Sequence, residues 1–300
     1  MSLIAVGTVA IDNLITPSGE KNNLLGGSAA HFSMSARHFT KVSLASVVGE
    51  DFPDKHMKFL QKQGVDTTSI IERDGKTFRW VGEFKKGDFN NAITHETVLG
   101  VLENYAPQVA FEQRDIDNVF LANCDPDVQG EFLSLMNNPK FVGLDSMNLW
   151  IDIKRQSLKK LMKRVNLFVV NDGEAQMLAE ETNLIKAAKV LRKMGPELIV
   201  IKKGENGVLF YCDKFMFSFT AFPVEKVVDP TGAGDTFAGG LMGTLSNAKK
   251  INEKTLREAV VNATTMASFN VQGFGMAKTA PLTKTDINGR RKDYLKFITP

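Results

Sequence analysis

The string Asp229-Pro230-Thr231-Gly232-Ala233-Gly234-Asp235 sets three small residues directly in front of a carboxylate, where the pattern turns helical. Backbone that bare lets a ligand approach closely. Unpaired N–H groups at the start of a helix, together with its dipole, stabilise negative charge. Asp235 would then stand in the first turn, beside an anion pocket. A carboxylate so placed can take a proton from a hydroxyl while the amides stabilise charge on a transferring phosphoryl group. An acidic residue in a first turn can equally be a plain complement to the helix dipole. The weight therefore rests on the whole string DPTGAGDTF. Two common phosphate fingerprints are absent: there is no GxxxxGK[ST], and no glycine follows Gly234 at dinucleotide spacing.

The elements that must position this string alternate along the chain. Apolar, β-rich runs lie at 3–11, 42–49, 118–123, 140–147, 166–171 and 197–204, and the Val-rich run before Asp229 also reads as a strand. Between them, 28–39, 54–63, 127–137, 152–164, 173–180 and 183–194 read as helices, with three more at 233–246, 253–270 and 284–297. Buried strands alternating with helices predict an α/β fold, a mostly parallel sheet covered on both faces. Ligands bind such sheets beyond the carboxyl ends of the strands. Two stretches break the alternation: 13–25, with a Pro-Ser-Gly turn, and 75–98, with two β-prone arms around Lys-Lys-Gly-Asp. Neither can form its own core. Together they predict a small sheet laid over the main one as a lid.

Bulk properties narrow the class. Of 300 residues, 43% are hydrophobic and 24% charged, the balance of a globular protein with a substantial core. The net charge of +3 is small, and Lys and Arg are dispersed, so a nucleic-acid or membrane-surface footprint is not expected. Two distant cysteines, Cys124 and Cys212, argue against a disulfide framework or cysteine zinc site and fit a reducing compartment. The opening MSLIAVGTVAID lacks a basic n-region, and a cytoplasmic protein is expected. One domain spanning 1–300 is expected, without repeats or a flexible linker.

The string VVDPTGAGDTFAGG resembles the C-terminal signature of the PfkB (ribokinase-like) carbohydrate and nucleoside kinases. LGGSAAHFSMSARHF at 25–39, followed by VVGEDF at 47–52, resembles their N-terminal block, so the likeness covers essentially the whole chain. It implies a three-layer fold with a β-sheet lid and a phosphotransferase using ATP and Mg2+. Asp235 would be the catalytic base, with the Gly232, Ala233 and Gly234 amides as anion hole. Asp12 resembles the aspartate that grips substrate hydroxyls, and Gly27 the glycine on which the substrate lies. Asn171 and Glu174 resemble an Asn-x-x-Glu pair that organises water and magnesium, although either alone fits a helix cap. Lys202, Gly204 and Gly207 fall where the family borders its nucleotide, Lys202 as a point charge for phosphate. Asn262, eleven residues before Gly273, resembles the adenine-side asparagine. Asp229, Thr231 and the 268–275 turn resemble a monovalent-cation site, for which K+ is the expected occupant.

His31 departs from the pattern, standing where the family usually has Asn against a substrate hydroxyl. It is expected to help define the acceptor. Arg79, Trp80 or Phe78 of the lid and Asn123 at a strand's end are further acceptor candidates. The acceptor reads first as a sugar, with a nucleoside as the alternative. A non-catalytic ligand sensor on the same fold is the contrasting class, disfavoured by the intact Asp235 and Glu174. Exposed lid edges leave pairing of two subunits open.

Overall fold

The computed structural model describes residues 2–299. The chain opens with β1 (Ser2–Val6), β2 (Ala10–Thr16), β3 (Gly19–Gly26) and helix α1 (Ser28–Ala36). Next come β4 (Lys41–Gly49), α2 (Asp54–Lys62), β5 (Val65–Asp66) and β6 (Ile70–Arg73). β7 (Arg79–Lys85) and β8 (Asp88–Val98) form a hairpin. β9 (Asn118–Leu121), α3 (Pro126–Leu135) and β10 (Phe141–Asp145) resume the alternation. α4 (Asn148–Ile153), α5 (Arg155–Met162), β11 (Leu167–Asn171) and α6 (Asp172–Ala179) follow. α7 (Leu184–Lys193), β12 (Leu198–Lys202), β13 (Val208–Tyr211) and β14 (Met216–Phe219) complete the strands. Three helices finish the chain: α8 (Ala233–Ser246), α9 (Glu253–Asn270) and α10 (Lys284–Ile298).

The main sheet runs β14-β13-β12-β11-β10-β9-β1-β4-β5, with β6 pairing the far end of β4. Its strands are parallel from β5 to β12, and only β13 and β14 turn antiparallel. β9 and β10 are buried along their whole length, as expected of strands with helices on both faces. One core packs beneath α1, α8 and α9, and the other beneath α3, α5, α6 and α7, giving three layers. From β1 the chain moves outward to β4, and from β9 it moves the opposite way to β10. The carboxyl ends of β1 and β9 therefore flank a crevice of the kind where such sheets bind ligands.

The small sheet, in order β3-β2-β7-β8, takes in most of the two stretches that interrupt the alternation. Three sequence expectations need correcting. The run 3–11 is not one strand: it leaves the main sheet after Val6 and re-enters as β2 of the small one. Gly7 marks the departure, where a Cβ would lie 2.8 Å from Ser28 Oγ and 2.9 Å from Ala122 Cβ. The Val-rich run before Asp229 is not a strand either. Val228 and Asp229 donate their N–H groups to Val271 O at the end of α9 and never reach a sheet neighbour. The helix expected over 152–164 is two, α4 and α5, broken at Lys154.

Small residues explain where α8 lies. A Cβ on Gly239 would sit 2.2 Å from Phe32 O of α1, and one on Gly240 2.9 Å from Ala263 Cα of α9. The three helices can pack this closely only because those side chains are missing. α1 is pinned in turn by Phe32, stacked on Phe120 of β9 at 4.2 Å. Such a pair contributes about 0.5–1.5 kcal/mol beyond its buried area. Among the described residues no helix is long and apolar enough to cross a membrane.

Candidate active site

α8 begins one residue past Gly232, whose φ of 70° is left-handed. Glycine is required here twice over, because a Cβ would also lie 2.3 Å from the Cγ of His31. The approach to the turn is held by Asp229, whose two carboxylate oxygens accept the N–H groups of Thr231 and Gly275, each at 2.9 Å. Asn270, at the end of α9, ties it from below. Its amide donates to Thr231 O at 2.8 Å and its carbonyl accepts from Thr236 Oγ1 at 3.0 Å.

Asp235 is half-buried in the first turn of α8. Burial, then the nearby charge of Asp145, push its carboxyl up to about 7, against a partial pull from Lys202. Lys202 ends β12 with its Nζ 3.2 Å from Asp145 Oδ2, and Asp145 ends β10. A Cβ on Gly234 would be 3.0 Å from that same Nζ, so the ammonium lies against the glycine turn. Burial works against the charge on Lys202. Asp145, Glu174 and Asp235 outweigh it and hold the ammonium above its ordinary range.

Glu174 is buried and pairs with Asn171 in a reciprocal cap. Asn171 Oδ1 accepts the Glu174 N–H at 2.7 Å, and Glu174 Oε2 accepts the Asn171 N–H at 2.8 Å. The carboxyl of Glu174 is pushed up to about 7, by burial first, while Lys202 opposes and Asp145 and Asp235 add to the rise. Across the turn, Asp12 reaches about 7 through burial and the charges of Asp229 and Asp235, relieved in part by the Gly27 N–H.

A cavity of about 900 Å³ opens beside these groups. Its polar lining includes Asn171, Lys202, Gly204, Gly207 and the turn from Thr231 to Gly234; its apolar lining includes Phe222, Val224, Val227, Val271 and Phe297. The tip of the β7–β8 hairpin forms the roof, with Phe89 and Asn90. Asn90 Nδ2 donates to Glu205 Oε2 at 2.7 Å, fastening the small sheet across the cleft. A carboxylate, a glycine turn at a helix start, a cation and a long cleft roofed by a second sheet are parts that a phosphoryl-transfer site needs.

The model of the pfkB family of carbohydrate kinases matches residues 7–283. The chain is a pfkB family kinase. It is 30% identical over 260 residues to the cytidine kinase of Thermococcus kodakarensis, covering 84% of this chain and 91% of that one. It is 26% identical over 323 residues to the ribokinase of Haemophilus influenzae, covering 99% and 98%. Among solved structures, the Salmonella enterica aminoimidazole riboside kinase, complexed with aminoimidazole riboside and an ATP analogue, superposes with a TM-score of 0.76. That match has 19% identity and covers 97% of this chain and 100% of the other. A pfkB kinase is a phosphotransferase acting on sugar or nucleoside hydroxyls, and this chain is one.

In this pfkB kinase Asp12, Gly27, Glu174, Lys202, Asp229, Thr231 and Asp235 surround one turn. Three expectations change. Asn262 does not reach the cavity: it points at α8, donating to Thr244 Oγ1 at 3.1 Å. The cavity face of α9 carries Thr264, Ala267, Ser268 and Val271, and a residue two before Thr264 is rotated about 200° away. His31 is buried at 2% exposure beneath Gly232, and its Nδ1 is enclosed without a partner. Its ring packs directly against the glycine turn. Ala233 has its N–H drawn to Pro230 O at 3.1 Å, which leaves Gly232 and Gly234 as the better placed amides.

Arg79 is committed to Asp51, with Nη2 3.0 Å from Oδ2. Asn123 accepts from Trp150 Nε1 at 3.1 Å at the end of β9. Sequence reasoning missed Asp145 and Asn270. Asp145 had a usable signal, a lone acid at the carboxyl end of a buried strand.

The raised carboxyls make the reaction pH-dependent with a definite sign. A carboxylate acting as base has to be ionised, and burial with the charge of Asp145 pushes the Asp235 carboxyl up to about 7. The kcat/KM measured from the free enzyme should fall about tenfold per pH unit below about 6.5. An acid limb centred near pH 4 would mean that Asp235 is an ordinary carboxylate.

Proposed function

We propose that this pfkB kinase moves the γ-phosphoryl group of ATP onto the primary hydroxyl of a nucleoside. One observation favours the nucleoside over a free sugar. Asp12 and Trp80 are registered partners across β2 and β7, so both side chains leave the same face of the small sheet. The indole lies flat over Gly82, where a Cβ would be 2.2 Å from the ring, and its Nε1 donates to Thr94 Oγ1 at 3.1 Å. A carboxylate for ribose hydroxyls, leaning over Gly26, and a fixed aromatic ring for a base, leaning over Gly82, thus share one face of the small sheet. The likeness to a cytidine kinase over nearly the whole chain supports the same reading.

Asp235 takes the hydroxyl proton as the acceptor oxygen bonds to the γ-phosphorus and the bond to the β-phosphate oxygen breaks, releasing ADP. Lys202 and the Gly232 and Gly234 amides hold the charge carried by the transferring group. The small sheet, fastened by Asn90 and Glu205, keeps water from competing as acceptor. Among the described residues no group of three acidic, His or Cys side chains could hold a metal alone. That donor set fits a Mg2+ that arrives with the phosphates, reached by Glu174 through water. Bound there, Mg2+ neutralises phosphate charge. Thr231 Oγ1 is buried without a partner beside Asp229, an oxygen that K+ could use.

The test is ADP release by the purified chain with a panel of nucleosides, ribose and fructose. At least one nucleoside should exceed every free sugar about tenfold in kcat/KM, the scale of one lost stacking contact. A free sugar ahead of all nucleosides overturns the acceptor, and no turnover with any overturns the kinase. Exchanging K+ for tetramethylammonium should slow the best reaction, and equal rates would remove the monovalent site.

A further inference from the structure

The last helix lies beyond the portion of the chain that matches the family, residues 7–283, yet it forms one wall of the cavity. Arg290, Tyr294 and Phe297 stand at i, i+4 and i+7, so they share one face of α10. Tyr294 is fully buried, and its hydroxyl donates to Thr220 O. The Arg290 guanidinium lies 3.6 Å from the ring centre of Phe269 and 5.2 Å from that of Phe222, while its Nη1 donates to Gln272 Oε1 at 2.6 Å. Thr220 and Phe222 both line the cavity. Phe297 lines it too, and remains 57% exposed.

An aromatic ring left open at a cavity wall, on a helix held by Tyr294 and Arg290, offers a ligand in that cavity a flat apolar surface. The cavity itself says which. Its polar lining is the glycine turn with Lys202, where phosphates belong. A nucleotide anchored there has its base to place against the apolar lining, to which Phe297 belongs.

We infer that α10 is part of the phosphoryl-donor site and that Phe297 is the wall on which the donor's base packs. Tyr294 and Arg290 act as positioning residues that hold this wall against Thr220 and Phe222. The inference rests on the kinase reading, because it takes a nucleoside triphosphate donor to bring phosphates to the glycine turn and a base to that lining. It also gives the helix a place in donor choice, since a flat apolar wall favours the large face of a purine over a pyrimidine.

Phe297→Ala is the informative variant, because so exposed a side chain is expendable for folding. Calorimetric titration should show Mg-ADP binding about five- to tenfold weaker than in the wild type, with the melting temperature nearly unchanged. In turnover, the KM for ATP should rise while the acceptor KM stays within about twofold, and the preference for ATP over CTP should narrow. Phe297→Trp, which keeps a ring, should restore Mg-ADP affinity. Unchanged Mg-ADP affinity in folded Phe297→Ala, or an equal loss in Phe297→Trp, overturns the inference. If the wild-type chain neither binds Mg-ADP nor turns over ATP, it is the kinase reading that fails.

Discussion

Replacing Asp235 with Asn should lower turnover about 100-fold or more while the chain still folds and binds ATP, the usual scale for losing a general base. The same change should make the ligand-free protein more stable. Burial pushes the Asp235 carboxyl up to about 7 in the folded state, whereas an unfolded aspartate releases its proton near its ordinary value of 3.8. Between those two values the folded chain binds a proton that the unfolded chain has lost. The aspartate's contribution to stability therefore falls as pH rises through that window. Asn carries no such charge. Asp235→Asn should then melt above the wild type at pH 8, with the difference shrinking toward pH 5. Turnover within a few-fold of wild type would sink the assignment of the base. Melting temperatures that differ equally at both pH values would mean the carboxyl is not held away from its ordinary range. A site that costs stability to keep a charge where chemistry needs it is the usual trade between the two.

Much of this site was legible because its constraints are local. Gly232 needs a left-handed φ, and Gly239 and Gly240 need close helix contact, so the glycines are written into the string itself. The alternation of apolar runs and helices was equally readable, since strands buried on both faces carry no polar positions to confuse the period. What failed depended on tertiary partners. Nothing within residues 3–11 says that the strand must leave one sheet for another at Gly7; Ser28 and Ala122, far along the chain, decide it. The Val-rich run reads as a strand but spends its N–H groups on Val271. The spacing of Asn262 from Gly273 fixes its place along α9 and leaves its face to the packing of α8. Lys202 reads as a free cation for phosphate until β10 brings Asp145 to its side.

Gly232→Ala carries the largest expected damage to the anion turn, and His31 decides how much. A non-glycine residue at φ 70° costs roughly 1–2 kcal/mol by conformation alone. The new Cβ would also lie 2.3 Å from His31 Cγ and 2.4 Å from its Nδ1. His31 cannot easily retreat. It is buried on α1, one residue before the Phe32 ring stacked on Phe120. The turn must move instead, and turnover should fall about 100-fold, the scale of losing an anion-hole donor. In a His31→Ala background the clash is gone and only the conformational cost remains, so the same substitution should cost about tenfold or less. His31→Ala alone should lower kcat and leave the KM of both substrates within about threefold, because the ring supports the turn without touching a ligand. The measurement is steady-state kinetics on the four proteins of this cycle. If Gly232→Ala costs the same in both backgrounds, His31 does not shape the turn, and a change confined to the acceptor KM in His31→Ala would return it to the acceptor site.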